Sequence, residues 1–279
     1  MIHPLADHLF EAISLERIRT RLFDMVSVPS PTGKARPMAE HYAALLRQIG
    51  LPAELRPLEG WPDSPSVVAR WPGRQPSPTL QLAGHMDTIH TEHAAPRVEG
   101  NRVYGRGAND MKGGLTAIAE TLQVLVDHGV QLPGSLLVTV YDLHEHPWGH
   151  GESIQALIRA GLVGDAVLVA EGPPDEVAIA VKGTTSFEIE LKSPAGSPHE
   201  LHVPPGTTHP FEAAVRLCQR LIEFSRQLEQ QPIPLLGTET MFLSSIHGGD
   251  FYNRLPGSFV IGGTRRFAPE RDFDDIRRE

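Results

Sequence analysis

Three short segments of this 279-residue chain gather side chains that bind metals and move protons. In the first, His85-Met86-Asp87, alternation along an extended chain sends the imidazole and the carboxylate to one side. The carboxylate can then hold one ring nitrogen while the other meets a cation. The second segment reads Gly105-Arg-Gly-Ala-Asn-Asp110-Met-Lys-Gly-Gly114. Its glycines permit sharp turns and close approach of a ligand. It fails the dinucleotide fingerprint, because the last glycine of G-x-G-x-x-G falls on Asp110, and it lacks the G-K-[ST] ending of a phosphate loop. Asp110 lies just before a helix start, so an N-cap is its bland alternative. The third segment, 142–151, packs His144, His146, His150, Asp142 and Glu145 together, a density that points to a metal site or a general base.

These segments need elements that bring them together. Three apolar runs, 80–83, 136–140 and 166–170, are bounded by Gly, Pro or charged residues, as buried parallel strands usually are. A helix over 114–128 lies between the first two, with Leu115, Ile118, Ala119, Leu122 and Leu125 on one face. Helical spacing also marks 13–25 and 38–49 around a Pro29-Ser-Pro31-Thr-Gly33 turn. Strands alternating with helices predict an α/β domain over 1–182: a mixed, mainly parallel sheet flanked by helices. In such sheets ligands collect at the carboxyl ends of strands, which is where the chemical segments and Glu171-Gly172 fall.

From about residue 183 the texture changes. Strand-like alternation at 187–191, a Pro/His-rich loop, a helix at 211–228, strand-like runs at 241–246 and 258–262, and the start of a helix at 272–279 predict a smaller α+β domain over 183–279 that is incomplete.

Composition narrows the function. Lys and Arg total 25 against 34 Asp and Glu, a net charge of −9, so no basic face is expected for nucleic acid. No apolar run approaches a membrane span and no secretory signal is evident, which makes a cytoplasmic protein the expectation. The lone Cys218 has no internal disulfide partner, and its apolar neighbours Ala214, Leu217 and Leu221 predict a core position.

The ordered set Gly84-His85-Met86-Asp87-Thr88, the 105–114 segment, the acid cluster at 142–151 and Glu171-Gly-Pro resembles the co-catalytic zinc metallopeptidases and deacylases. That family includes acetylornithine deacetylase, succinyl-diaminopimelate desuccinylase, aminoacylase and glutamate carboxypeptidase. Ile246-His-Gly248-Gly249-Asp-Phe-Tyr-Asn253-Arg-Leu-Pro256 resembles the G-G-x-x-x-N-x-x-P turn of the family's lid domain. The resemblance implies a metal-dependent hydrolase of N-acyl amino acids or small peptides, with a catalytically inactive binding protein as the alternative. It implies Zn2+, with Co2+ or Mn2+ compatible, and a homodimer through the lid.

By position, His85, Asp110 and Glu171 match metal ligands, Asp110 being the bridging one. Asp87 matches the residue that orients His85, Glu145 the general base, and Asp110-Met111 a cis peptide bond. In the lid, His199 matches an oxyanion-binding histidine with His202 as runner-up, and Asn253 and Arg266 match substrate binders, with Arg265 an equal rival to Arg266. Two departures stand out. The family has two adjacent glutamates where this chain has Glu145-His146, so His146 is the expected ligand of the second metal; in an alternative register His144 takes the first position and Glu145 becomes the ligand. The chain also ends at Glu279, before the family's second terminal histidine, so one complete metal site, one weak site and impaired activity are expected.

Overall fold

The computed structural model describes residues 4–172 and 176–279, with side chains from residue 7 onward. The chain divides into two compact units, Met1–Glu176 and Val177–Glu279; the sequence placed the boundary at 182/183.

The first unit runs α1 (Pro4–Glu11), α2 (Leu15–Ser27), α3 (Arg36–Ile49), β1 (Ala53–Leu58), β2 (Trp61–Trp71), β3 (Thr79–His85), a ribbon of β4 (Arg97–Glu99) and β5 (Arg102–Tyr104), a turn at Ala108–Lys112, α4 (Gly113–Asp127), β6 (Ser135–Tyr141), α5 (Glu152–Arg159) and β7 (Ala166–Val169). Five strands form one sheet in the order β1-β2-β6-β3-β7. The three site-bearing strands, β6, β3 and β7, are parallel neighbours, as the apolar runs predicted. The sequence pattern does not reveal β1 and β2, which extend the sheet, β2 antiparallel to β6 and β1 antiparallel to β2.

Side-chain alternation divides the interior. Val67, Ala69, Leu82, Val138 and Val140 pack with Tyr42 and Leu46 of α3 and Leu115, Ile118 and Leu122 of α4. Val68, Ala83, Leu137 and Tyr141 form a second cluster with Leu157 of α5 and Leu162. The period of two along the strands and of 3.6 along α4 thus produces the layered arrangement. The α2 helix is tied to α4 by the buried Glu120 carboxylate, which accepts bonds from Arg17 (2.6 Å), Arg21 (3.1 Å) and the Ser14 N–H (2.8 Å).

The second unit comprises β8 (Gly183–Lys192), α6 (Pro210–Leu228), a short ribbon of β9 (Pro232–Ile233) and β10 (Gly237–Thr238), β11 (Thr240–Gly248), β12 (Ser258–Phe267) and α7 (Phe273–Arg278). Its antiparallel sheet has the order β11-β12-β8. Exposure alternates residue by residue along β8, matching the sequence pattern there. The core is Ala214 of α6 with Phe259 and Ile261 of β12. Cys218 is half-buried against it rather than enclosed.

Candidate metal centre and hydrolytic site

β3 ends in His85, and hydrogen-bonded parallel pairing sets it beside Tyr141 at the end of β6. Its ring is fully buried. Nδ1 lies 3.1 Å from the Asp87 carbonyl oxygen and 3.5 Å from the buried Asp87 Oδ1. An Nδ1–H facing these acceptors fixes the tautomer and leaves Nε2 as the donor atom for a cation.

Nε2 is 2.9 Å from Asp110 Oδ1. Asp110 reaches it from the turn before α4, whose Asp110–Met111 peptide bond is cis, as the resemblance implied. Gly114 lets that turn approach β7: a Cβ there would lie 1.8 Å from the Ala170 carbonyl oxygen, one residue before Glu171. The buried Lys112 ammonium anchors the turn to α2 by donating to the carbonyls of Met25 (3.1 Å) and Val28 (2.9 Å), and burial lowers it to about 8.

Asp87 has a second task. Its Oδ2 accepts the backbone N–H groups of His144 (3.1 Å) and Glu145 (3.0 Å). Asp142, buried at the end of β6, accepts from Gly33 (3.0 Å) and Ala35 (3.1 Å) and so closes the start of α3 against the same loop. The sequence reading assigned neither Asp142 nor Lys112 a positioning role; a buried acid at a strand end and a charge inside a glycine-rich turn were the available signals.

Two sets of side chains have ligand atoms within 4.8 Å of one another: His85, His144 and Glu171, and His85, Asp110 and Glu145. Four expected site residues, His85, Asp110, Glu145 and Glu171, therefore converge on one end of the sheet. His85 stands in both sets, with Asp110 beside it in one and Glu171 in the other. His146 is in neither. It is exposed, with its ring 5.1 Å from that of His150. The imidazole at the centre is His144, stacked 4.2 Å from His85. Leu143 has a φ of 63°, which breaks strand alternation and resets the side-chain directions that follow.

The electrostatics suit a cation. Burial opposes charge on His85, but hydrogen bonds to Asp110 and Asp87 overcome it and lift the imidazole to about 10. The His85 hydrogen bond and charge hold Asp110 below the usual carboxylate range, against its burial. Burial, then the charge of Asp110, raises Glu145; burial, then the charge of His85, lowers His144. A divalent ion would take the place of the proton shared between His85 and the carboxylates. Imidazole and carboxylate donors at these spacings fit zinc and other first-row metals.

In the second unit, β8 and β11 lead into two loops joined by hydrogen bonds from Leu255 N–H to Pro198 O (2.9 Å) and Glu200 N–H to Asn253 O (2.8 Å). This ladder puts the Asn253 amide 3.1 Å from His199 Nε2, while His199 Nδ1 accepts the Leu201 N–H at 3.2 Å. His202 lies on the following turn, its ring 5.9 Å from that of His199. Arg265 is buried on β12 and bound by Glu239 and Glu279, whereas neighbouring Arg266 is exposed. The arginine available to a ligand is therefore Arg266.

Residues 81–263 match the sequence pattern of peptidase family M20/M25/M40. A succinyl-diaminopimelate desuccinylase of Methylobacterium radiotolerans is 34% identical over 139 residues, 46% of this chain and 35% of its own. Carboxypeptidase G2 of Pseudomonas sp. is 26% identical over 282 residues, covering 95% of this chain and 64% of its own. The chain thus spans about one to two thirds of these relatives' length. Human carnosine dipeptidase 1 shares the fold, with a TM-score of 0.76 at 15% identity over 99% of this chain and 75% of that one.

Proposed function

Because the chain belongs to peptidase family M20/M25/M40, we propose that it is a metal-dependent hydrolase of amide bonds in N-acyl amino acids or small peptides. The observation that carries this reading is the convergence of His85, Asp110, His144, Glu145 and Glu171 at the carboxyl ends of parallel strands. The names of the two relatives, a desuccinylase and a carboxypeptidase, support the substrate class.

His85, Asp110 and Glu171 would hold the cation, with His144 in the place expected for His146. Both ligand sets require His85, whose Nδ1 is turned to Asp87, so the arrangement favours one tightly held ion per chain. When bound, a divalent ion supplies Lewis acidity and makes water a stronger nucleophile near neutral pH. Glu145 takes a proton from the attacking water and passes it to the departing amine nitrogen, the exchange a carboxylate raised by burial is suited to perform. Asp87 fixes both the tautomer of His85 and the backbone of Glu145. His199, Asn253 and Arg266 are the substrate-binding groups in this reading, with the guanidinium suited to a carboxylate. Zinc as the metal, a homodimer through the second unit and cytoplasmic residence complete it. The donor set supports zinc, and exposed Phe242 and Ile246 on β11 support an apolar contact. Among the described residues no helix is long and apolar enough to cross a membrane.

The test is hydrolysis of a panel of N-acyl amino acids and dipeptides with and without chelator. Turnover that chelation abolishes and Zn2+ restores is the expected result. A panel with no chelator-sensitive turnover refutes the assignment and favours a binding protein.

A further inference from the structure

A cavity of about 350 Å³ lies beside the metal centre, between the end of α2 and the loop after β3. Among the described residues its ionisable lining is Lys34, His90, His93, Arg106 and Lys112, with no carboxylate. Not all of these groups are available. Lys112 is bound to the carbonyls of Met25 and Val28, His90 Nε2 lies 2.9 Å from the Thr32 carbonyl and His93 Nδ1 lies 2.9 Å from that of Ala94. Lys34 and Arg106 remain. Neither forms a salt bridge among the described residues, and the Arg106 Nε–H is buried without a hydrogen-bond partner. Arg106 is held at one edge only, by Nη2 donation to Thr91 Oγ1 at 2.7 Å and to the Glu92 carbonyl.

In a chain of net charge −9, two unpaired cations facing a carboxylate-free cavity are a specific local excess of positive charge. A buried guanidinium N–H without an acceptor is costly until an acceptor arrives, and an anionic oxygen is the strongest acceptor available to it. Arg106 and His93 also line a second cavity, of about 340 Å³, whose lining includes Asp110.

We propose that Arg106 and Lys34 form a binding site for a small anionic group, a carboxylate or a phosphate, beside the metal centre. The site itself stands on cavity shape and charge. That a substrate delivers the anion, as the distal carboxylate of an acyl chain extending past Asp110, rests on the hydrolase reading above.

The experiment titrates succinate and inorganic phosphate separately into the chelator-treated full chain and follows amide NMR shifts. Without metal or turnover, the result is independent of whether the chain hydrolyses anything. Saturable shifts around Thr88 and Arg106 are expected with at least one anion. Arg106→Leu should weaken binding about tenfold or more, Lys34→Ala less, and Arg106→Lys should retain part of it. Arg216→Ala, which removes a cation on α6 already paired with Glu212, should leave binding unchanged. Saturation by succinate alone assigns the site to a substrate carboxylate, by phosphate alone to the free ion, and either result supports it. No saturable shift with either anion, or equal affinity in wild type and Arg106→Leu with both variants folded, overturns it.

Discussion

The side-chain carboxylate of Asp87 accepts the backbone N–H of Glu145 at 3.0 Å. One acid thus faces the His85 imidazole with one oxygen and holds the Glu145 backbone with the other, across 58 residues of sequence. Asp87→Asn would turn an amide N–H2 towards donors it cannot accept from, or towards His85 Nδ1–H. We expect metal affinity and kcat/KM each to fall about 10–100-fold with the fold retained. Equilibrium dialysis and steady-state kinetics on a substrate hit would check this; unchanged values would remove Asp87 from the site.

Glu145 separates proton transfer from metal binding. Glu145→Gln should lower kcat about 10²–10⁴-fold while one equivalent of metal is still retained. Metal analysis beside kinetics decides, and a variant that loses its metal would make Glu145 a ligand, the register in which His144 comes first.

Gly114 tests how closely α4 must approach β7. The methyl group of Gly114→Ala would lie 1.8 Å from the Ala170 carbonyl oxygen, so the backbone must move. A loss of about 1–3 kcal/mol is expected in urea unfolding, with weakened metal binding as Glu171 shifts away.

Glu120 gives a pH signature remote from the metal. Burial opposes its charge, but the Arg17 hydrogen bond, the Ser14 N–H and the charges of Arg17 and Arg21 hold its carboxyl below the usual glutamate range. A depressed folded-state pKa contributes stability above the unfolded pKa, and that contribution is lost as pH falls through the folded one. Glu120→Gln should therefore cost about 2 kcal/mol at neutral pH, the scale of hydrogen bonds to a charged group. The two stabilities should converge as pH drops below the ordinary glutamate range, in urea titrations from pH 7 to pH 3.

The neighbouring arginines of β12 should behave in opposite ways. Arg266→Ala should raise KM with stability unchanged. Arg265→Ala leaves Glu239 buried without that partner and should destabilise the second unit by about 3 kcal/mol or more. Thermal unfolding beside kinetics separates the two.

Much of this arrangement was legible in the sequence because its signals are local. Short, mainly apolar runs bounded by glycine, proline or charge announce β3, β6 and β7, and the groups following each run have to share one edge of a parallel sheet. β2 escaped because Pro62, Asp63, Ser64, Pro65 and Ser66 interrupt its apolar pattern, although residues 64–69 are buried. That His144 rather than His146 groups with His85 and Glu171 also lies beyond what spacing shows, since Leu143 just before them has a left-handed backbone. Likewise, the partners that occupy Arg265, Glu239 and Glu279, lie 26 and 14 residues away and become visible only once the chain has folded.

In the proposed reading, where His199 and Asn253 bind substrate, their contact bears on specificity. With two loops laced together beneath them, these side chains form one jaw rather than two independent fingers. Replacing either would disarm both, so paired substitutions should give far less than the product of the single defects, and any retuning of ligand choice there would have to rebuild the two loops in concert.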